Sequence, residues 1–104
     1  MQKIASKMRL MPGQLDEYCR RHEQIWPELA QLLRDTGIED YSIHYDPETG
    51  ILFAVMWCST PEKLAKLPSH PVMRRWWAHM APLMATNADQ SPVNTQLETV
   101  FHLT

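Results

Sequence analysis

The sequence predicts an α+β fold in which helices cover one face of a four-stranded antiparallel sheet. Three observations predict this class: two strand-like segments joined by a tight turn, two segments with the apolar spacing of amphipathic helices, and a strand-like segment near each end. In chain order the elements run β-α-β-β-α-β, which is the split βαβ arrangement. Because 104 residues suffice for one modest core, we expect residues 1–104 to form a single domain.

The first strand and the first helix come at the start of the chain. Loose alternation of apolar and polar residues predicts a half-buried strand over Lys3–Met11. From about Gln14 to Gly37, apolar residues recur every three or four positions, which predicts one long amphipathic helix. Pro27 lies inside this pattern. Since proline removes a backbone donor and clashes with the preceding turn, a kink is expected near Glu23–Trp26.

The middle of the chain predicts a β-hairpin. The segments "DYSIHYD", "PETG" and "ILFAVMWC" have the composition of a strand, a turn and a strand. The second strand is apolar on both faces, so both faces need cover. We expect Leu52, Ala54 and Met56 to lie on the face that the helices leave open. A second copy of the chain would then pack sheet to sheet against them, giving a homodimer with a barrel-like centre.

The remaining elements follow the hairpin. Thr60 is expected to cap a short helix, and either Ser69 or His70 is expected to begin a further helix with Pro71 at its first position. The broad apolar face of this helix consists of Val72, Met73, Trp76, Trp77, Met80, Leu83 and Met84. The segment "ATNADQSPVNT" is predicted to be a loop, and "QLETVFHL" is predicted to form the closing strand.

Composition and charge argue against several kinds of protein. Apolar residues at 44% and charged residues at 21% are typical of a globular protein. A net charge of -2, without a long run of Lys or Arg, disfavours nucleic acid and anionic membranes as partners. No stretch resembles a signal peptide or a membrane span, so the expected location is the cytoplasm. Cys19 and Cys58 are expected to be reduced thiols, and no ligand spacing predicts a metal site.

His22 stands in the predicted buried stripe of the first helix. At about 100° per residue, it lies about 20° from the direction shared by Leu15 and Leu33, so it should point at the sheet. Tyr18 precedes it by one turn and Trp26 follows by one turn, so the three rings could line a pocket. A buried histidine can equally be structural, held by a carbonyl and water. In a pocket, however, an imidazole is the natural acid or base at neutral pH.

Further aromatic residues would suit a sugar, if they meet at that pocket. Tyr41 and Tyr45 would contribute if their face of the hairpin lies beneath the helices, and Trp76 and Trp77 if they cover the mouth of the pocket. A pyranose has C–H faces that lie against aromatic rings and hydroxyls that bond to phenols and indole N–H groups. Helical spacing alone favours the alternative that both tryptophans are ordinary core residues.

Several segments, in their order and spacing, resemble the L-rhamnose mutarotase family along essentially the whole chain. They are "EYCRRHEQIWPEL", "DYSIHYD", "RRWWAHM" and "NADQSPV", with the ending "VFHL". The resemblance implies a ferredoxin-like fold that forms a dimeric α+β barrel. It also implies interconversion of the α and β anomers of L-rhamnose, with no cofactor and no metal. By this resemblance His22 is the proton donor, and Tyr18, Tyr41, Trp76 and Trp77 bind the sugar.

Three questions stay open at this point. The chain departs from the family in the late loop, where the family often has Asn-Pro-Asp-Asn-Ser-Pro and this chain has Asn87, Ala88, Asp89, Gln90, Ser91 and Pro92. The general base could be a tyrosine, a carboxylate such as Asp89, or water. Rival functions are a non-catalytic sugar-binding or assembly module and, by fold analogy alone, a small oxygenase or other isomerase on the same scaffold.

Overall fold

The computed structural model describes residues 1–104. In chain order its elements are β1 (Gln2–Arg9), α1 (Leu15–Glu23), α2 (Pro27–Asp35), β2 (Ile38–Asp46), β3 (Ile51–Cys58), a 3₁₀ helix (Pro61–Ser69), α3 (Pro71–Met80), a 3₁₀ turn (Ala81–Leu83) and β4 (Thr95–Gln96). The strands form one antiparallel sheet in the order β2-β3-β1-β4. This confirms the predicted α+β class and its split βαβ order. No helix in the structure has the length and apolar character that crossing a membrane requires.

The first helical segment is two helices, where the sequence predicted one kinked helix. α1 ends at Glu23, and α2 begins at Pro27, which occupies the first helical position. Proline is well tolerated there because its missing N–H would have no partner within the helix. Proline also forces the preceding residue out of the helical region, and Trp26 is extended, with φ -63° and ψ 130°. The expected kink is therefore a complete break.

The helices cover one face of β3 and leave the other open. The sequence predicted Leu52, Ala54 and Met56 on the open face, and this prediction was wrong. Leu52 and Ala54 are 1% and 2% exposed and belong to the core beneath the helices. Met56 shares their face because side chains alternate along a strand. The open face carries Ile51, Phe53, Val55 and Trp57, all half-buried. Lys3 and Lys7 of β1 lie directly opposite two of these residues, so the lysine-bearing face of β1 points away from the helices.

The hairpin itself is confirmed. Gly50 closes the turn with a φ of +76°, and its N–H donates to Asp46 O at 2.9 Å. In the register of the two strands, Tyr41 pairs with Met56 and Tyr45 pairs with Leu52. Paired side chains share a face, so both tyrosines lie on the helix side of the sheet, as the sugar-pocket hypothesis requires.

The connection to α3 differs from the prediction at Thr60. Its hydroxyl donates to Thr36 O at 3.4 Å and does not cap the 3₁₀ helix that follows. The contact brings Thr60 against Gly37, which ends α2 with a φ of +96° and where an added Cβ would overlap the Thr60 hydroxyl. α3 begins as predicted, since His70 Nδ1 accepts a hydrogen bond from Val72 N at 3.2 Å.

The closing strand is much shorter than predicted. Only Thr95 and Gln96 pair with β1, and the N–H of Leu97 adds one further bond to Ala5 O at 2.8 Å. The residues after Leu97 form no regular structure, and their large apolar side chains are exposed: Val100 by 93%, Phe101 by 69% and Leu103 by 83%. A strand is stabilised by apolar surface that its side chains cover, and the apolar side chains of this segment cover little of it within one chain, although the His102 ring meets Trp57 edge-on at 5.7 Å.

Candidate active site

A cavity of about 860 Å³ lies between the helices and the sheet. All five residues that the resemblance singles out line it: Tyr18, His22, Tyr41, Trp76 and Trp77. They come from α1, β2 and α3, elements that are far apart in the chain. Pockets for small molecules usually measure roughly 300 to 1,000 Å³ and combine apolar walls with a few polar groups. The cavity therefore has the size and character of a ligand site.

His22 is half-buried in the last turn of α1. Its Nδ1 lies 3.0 Å from the carbonyl oxygen of Tyr18, one turn earlier in the helix. A carbonyl oxygen can only accept, so Nδ1 carries the hydrogen, and in the neutral ring Nε2 has the free electron pair. Burial lowers the pKa of His22, and the bond to the carbonyl opposes this only partly. The imidazole is therefore mainly neutral at pH 7.

Two phenols accompany the imidazole. Tyr18 is 6% exposed, and its ring stacks on that of His22 with 4.4 Å between centroids and 29° between planes. Burial raises the pKa of Tyr18, and the nearby Tyr41 phenol raises it further. Tyr41 remains 40% exposed, yet partial desolvation raises its pKa too. Both phenols therefore stay protonated at neutral pH and can donate hydrogen bonds to sugar hydroxyls.

Three tryptophans take different positions relative to the cavity. Trp76 is only 6% exposed and forms a buried wall, with its ring edge-on to His22 at 5.4 Å and 88°. Trp77 is half-buried and also lines the cavity, so it keeps an accessible surface. Trp26 does not line the cavity, because the break after α1 carries it behind Trp76, where the two indoles meet edge-on at 5.1 Å. Trp76, and not Trp26, therefore completes the row of Tyr18 and His22.

Asp89, considered as a base from the sequence, does not line the cavity. Its carboxylate accepts hydrogen bonds from the N–H and hydroxyl of Ser91, and the side-chain bond is the main reason that its pKa is lowered. The bonds shape the late loop, in which Gln90 adopts a φ of +71°.

Several polar residues of the cavity wall were not predicted from the sequence. The end of α2, the start of β2 and the late loop contribute them: Arg34, Glu39, Asp40, Ser91 and Asn94. No spacing in the sequence links these positions, because only the tertiary fold brings them together. The side chains of His, Cys, Asp and Glu form no group of three or more that could hold a metal ion.

The fold and the cavity together define an α+β protein with an aromatic-walled pocket around a half-buried histidine. Residues 3–103 match the family model of L-rhamnose mutarotase. Curated L-rhamnose mutarotases from Sinorhizobium fredii and Sinorhizobium medicae are 57% and 59% identical over 103 residues, and each alignment covers 99% of both chains. The chain therefore belongs to the L-rhamnose mutarotase family.

Solved structures agree with this assignment. The crystal structure of L-rhamnose mutarotase from Formosa agariphila is similar over 100% of both chains, with a TM-score of 0.94 and 42% identity. The crystal structure of an antibiotic biosynthesis monooxygenase gives a TM-score of 0.62 over 96% of this chain and 99% of that one, at 13% identity. That second likeness shows the ferredoxin-like fold alone.

Proposed function

We propose that this protein is an isomerase that interconverts the α and β anomers of L-rhamnose, and that the reaction takes place in the cavity described above. Family membership supports the activity. The observation that carries the site is that His22 and four aromatic residues from three separate elements line one cavity that is large enough to hold a monosaccharide. We assign proton transfer to His22, and sugar binding to Tyr18, Tyr41, Trp76 and Trp77.

The chemistry matches this division of roles. Ring opening moves a proton from the C1 hydroxyl to the ring oxygen. The bond between C1 and the ring oxygen breaks, and a carbonyl forms at C1. The aldehyde then rotates, and the ring recloses on its other face. Atoms and electrons balance through proton transfers alone, so the protein needs only a positioned acid–base group, worth roughly 10²-fold to 10⁴-fold, and groups that hold the sugar. Phenols can bond its hydroxyls, while the indoles face its C–H surfaces.

The activity can be measured by exchange NMR between the two anomeric protons of L-rhamnose. We expect the native protein to accelerate the exchange at catalytic concentration. A non-catalytic sugar-binding module would bind rhamnose but leave the exchange at its background rate. An oxygenase would consume oxygen with an apolar substrate and would not respond to the sugar. Because one methyl group changes discrimination by only about 1 to 3 kcal/mol, slower exchange of L-mannose and L-lyxose is also expected.

We also propose that two copies of the chain pack through the open face of the sheet. Ile51, Phe53, Val55 and Trp57 form an apolar row there that no helix covers. The exposed apolar residues of the last segment, including Val100 and Phe101, give a second copy further surface to bury. A dimeric barrel would result. Sedimentation at micromolar concentration tests this proposal, and a monomer would contradict it.

Two further proposals concern the domain organisation and the cellular location. Of the 15 buried residues, 11 form one cluster that draws on the sheet and on all three α-helices, which supports a single domain over residues 1–104. A single cooperative unfolding transition is expected, whereas two separate transitions would contradict it. We place the protein in the cytoplasm, since the mutarotase substrate is a free sugar; cell fractionation with a specific antibody tests that location.

A further inference from the structure

We propose that His22 serves as both base and acid in one turnover: Nε2 first removes the proton from the C1 hydroxyl and then returns it to the ring oxygen. This assignment rests on the proposed mutarotase function and deepens it. It also answers the question that the sequence leaves open, because it requires no separate general base.

The hydrogen bond of His22 determines which nitrogen can react. Nδ1 is bound to Tyr18 O at 3.0 Å, inside the helix and pointing back along it. That nitrogen must keep its hydrogen, so Nε2 is the ring atom that can exchange a proton with a ligand. Stacking on Tyr18 and the edge-on contact with Trp76 hold the ring from two sides. The structure thus offers a fixed imidazole whose single reactive nitrogen begins as an acceptor.

The other titratable groups of the cavity do not supply a base as suitable. They are Tyr18, Cys19, Arg34, Glu39, Asp40, Tyr41 and Tyr45. The pKa values of Tyr18 and Tyr41 are raised by burial, so these phenols stay protonated. Glu39 and Asp40 are exposed at the start of the edge strand β2, where water competes for them. None of these charges contributes to the lowered pKa of His22, whose main cause is desolvation.

On α3, the titratable side chain of His79 packs against Trp76 with 5.6 Å between ring centroids. Trp76 lies edge-on to His22 as well, so the indole contacts both imidazoles. His79 is exposed, whereas His22 is half-buried in the cavity. His22 therefore remains the acid–base group best placed to meet a bound sugar.

One nitrogen can serve both steps because both oxygens are bonded to C1 of the sugar. Nε2 takes the proton of the C1 hydroxyl, and the electron pair left on that oxygen forms the carbonyl as the bond between C1 and the ring oxygen breaks. The ring oxygen leaves with the electron pair and accepts the proton from Nε2–H. After the aldehyde rotates, the same two transfers run in reverse. The protein ends each turnover with the proton count with which it began.

The pH profile of the native protein separates this scheme from one in which His22 begins as an acid. We expect kcat/KM for anomer exchange to be flat through neutral pH and to fall about tenfold per pH unit on the acid side, with an inflection below 6.5. An enzyme that needs the imidazolium would instead lose activity as the pH rises through that inflection. Such a result would overturn the scheme, although rhamnose exchange itself would still be accelerated.

Two further measurements test the same scheme. Nitrogen-15 NMR, with the His22→Gln variant used to assign the signal, should show Nδ1 protonated and Nε2 unprotonated at pH 7. In mixtures of H₂O and D₂O, successive transfers through one nitrogen predict a linear dependence of rate on deuterium fraction. A curved dependence would require two groups acting together, and a protonated Nε2 at pH 7 would remove the base; either result overturns the proposal. No acceleration of exchange by the native protein would reject the proposed function itself.

Discussion

The two faces of the sheet use similar side chains for different purposes. On β3, Leu52 is 1% exposed and packs beneath the helices, whereas its neighbour Phe53 is half-buried on the open face. Both are large and apolar, so the strand pattern shows only that each face needs cover. The lysines that β1 places on the open face, paired with Phe53 and Trp57, indicate which side points away from the helices. The identity of a face is therefore a property of the paired strands, and one strand alone does not reveal it.

The same contrast holds for two histidines. His22 is half-buried on the helix side, with Nδ1 bound to a carbonyl and its pKa lowered by burial. His44 lies on the other face of the sheet, exposed, with Nε2 2.9 Å from the Ser42 hydroxyl. The residue type is identical, but only the first faces a cavity with aromatic walls. Surroundings, more than residue type, distinguish a candidate catalytic group from a surface group.

The largest difference in folding stability should appear between Leu52→Ala and Phe53→Ala. Leu52→Ala leaves a hole in the core and should lower the free energy of unfolding of the subunit by about 2 to 5 kcal/mol. Phe53→Ala removes a half-buried group and should cost the subunit less, while weakening the association of two copies. Urea unfolding at low protein concentration, combined with sedimentation, measures both effects. Equal losses in subunit stability would contradict the assignment of the two faces.

A smaller effect is expected from a pair of tryptophans. Trp77→Ala removes an indole from the cavity wall, and an aromatic contact is worth about 0.5 to 1.5 kcal/mol, so KM for rhamnose should rise roughly twofold to tenfold. The matched control is Trp57→Ala on the open face, which should leave KM unchanged while reducing dimer formation. Steady-state exchange kinetics at catalytic protein concentration, over a range of rhamnose concentrations, test the pair. An unchanged KM in Trp77→Ala would place the sugar elsewhere.

The smallest effect concerns stability at acid pH. Because the folded-state pKa of His22 lies below the unfolded value of 6.5, the unfolded chain takes up the proton first. The free energy of unfolding therefore falls as the pH drops from 6.5 to the folded-state pKa. Within this window the unfolded chain binds less than one proton more at His22 than the folded chain does. Above the window His22 has no effect on stability. His22→Gln should remove this slope, and His44→Gln should retain it. Urea midpoints at pH 5 and pH 7 provide the comparison, and an unaltered slope in His22→Gln would contradict the burial argument.

Local patterns were enough to predict most of the fold. Alternation identified β1 and the hairpin, and Pro71 after a capping residue marked the start of α3. Prediction from the sequence failed where contacts with distant parts of the chain determine the local structure. It did not foresee that Pro27 would begin a new helix, or that Thr60 would bond to Thr36 instead of capping. The final strand was overestimated because an apolar alternating segment needs surface to cover, which the sequence does not reveal.

Some residues of the site could be predicted from the sequence and others could not. Helix geometry directed His22 and Tyr18 to the sheet, because positions one turn apart share a face. The family resemblance added Tyr41, Trp76 and Trp77, which helical or strand spacing alone would class as core. Among polar groups of the late loop the sequence suggested only Asp89, which does not line the cavity, and nothing in it linked the polar groups at the start of β2 to the cavity. Their position depends on tertiary contacts between elements that local sequence patterns do not link.

The most direct test of the account is the rate of L-rhamnose anomer exchange with the paired variants His22→Gln and His44→Gln. Circular dichroism first establishes that both are folded. The account predicts that His22→Gln lowers the accelerated rate by roughly 10²-fold to 10⁴-fold, whereas His44→Gln retains it. If the folded His22→Gln protein exchanges the anomers as fast as the native protein, the cavity beneath the helices is not the catalytic site, and the central claim fails.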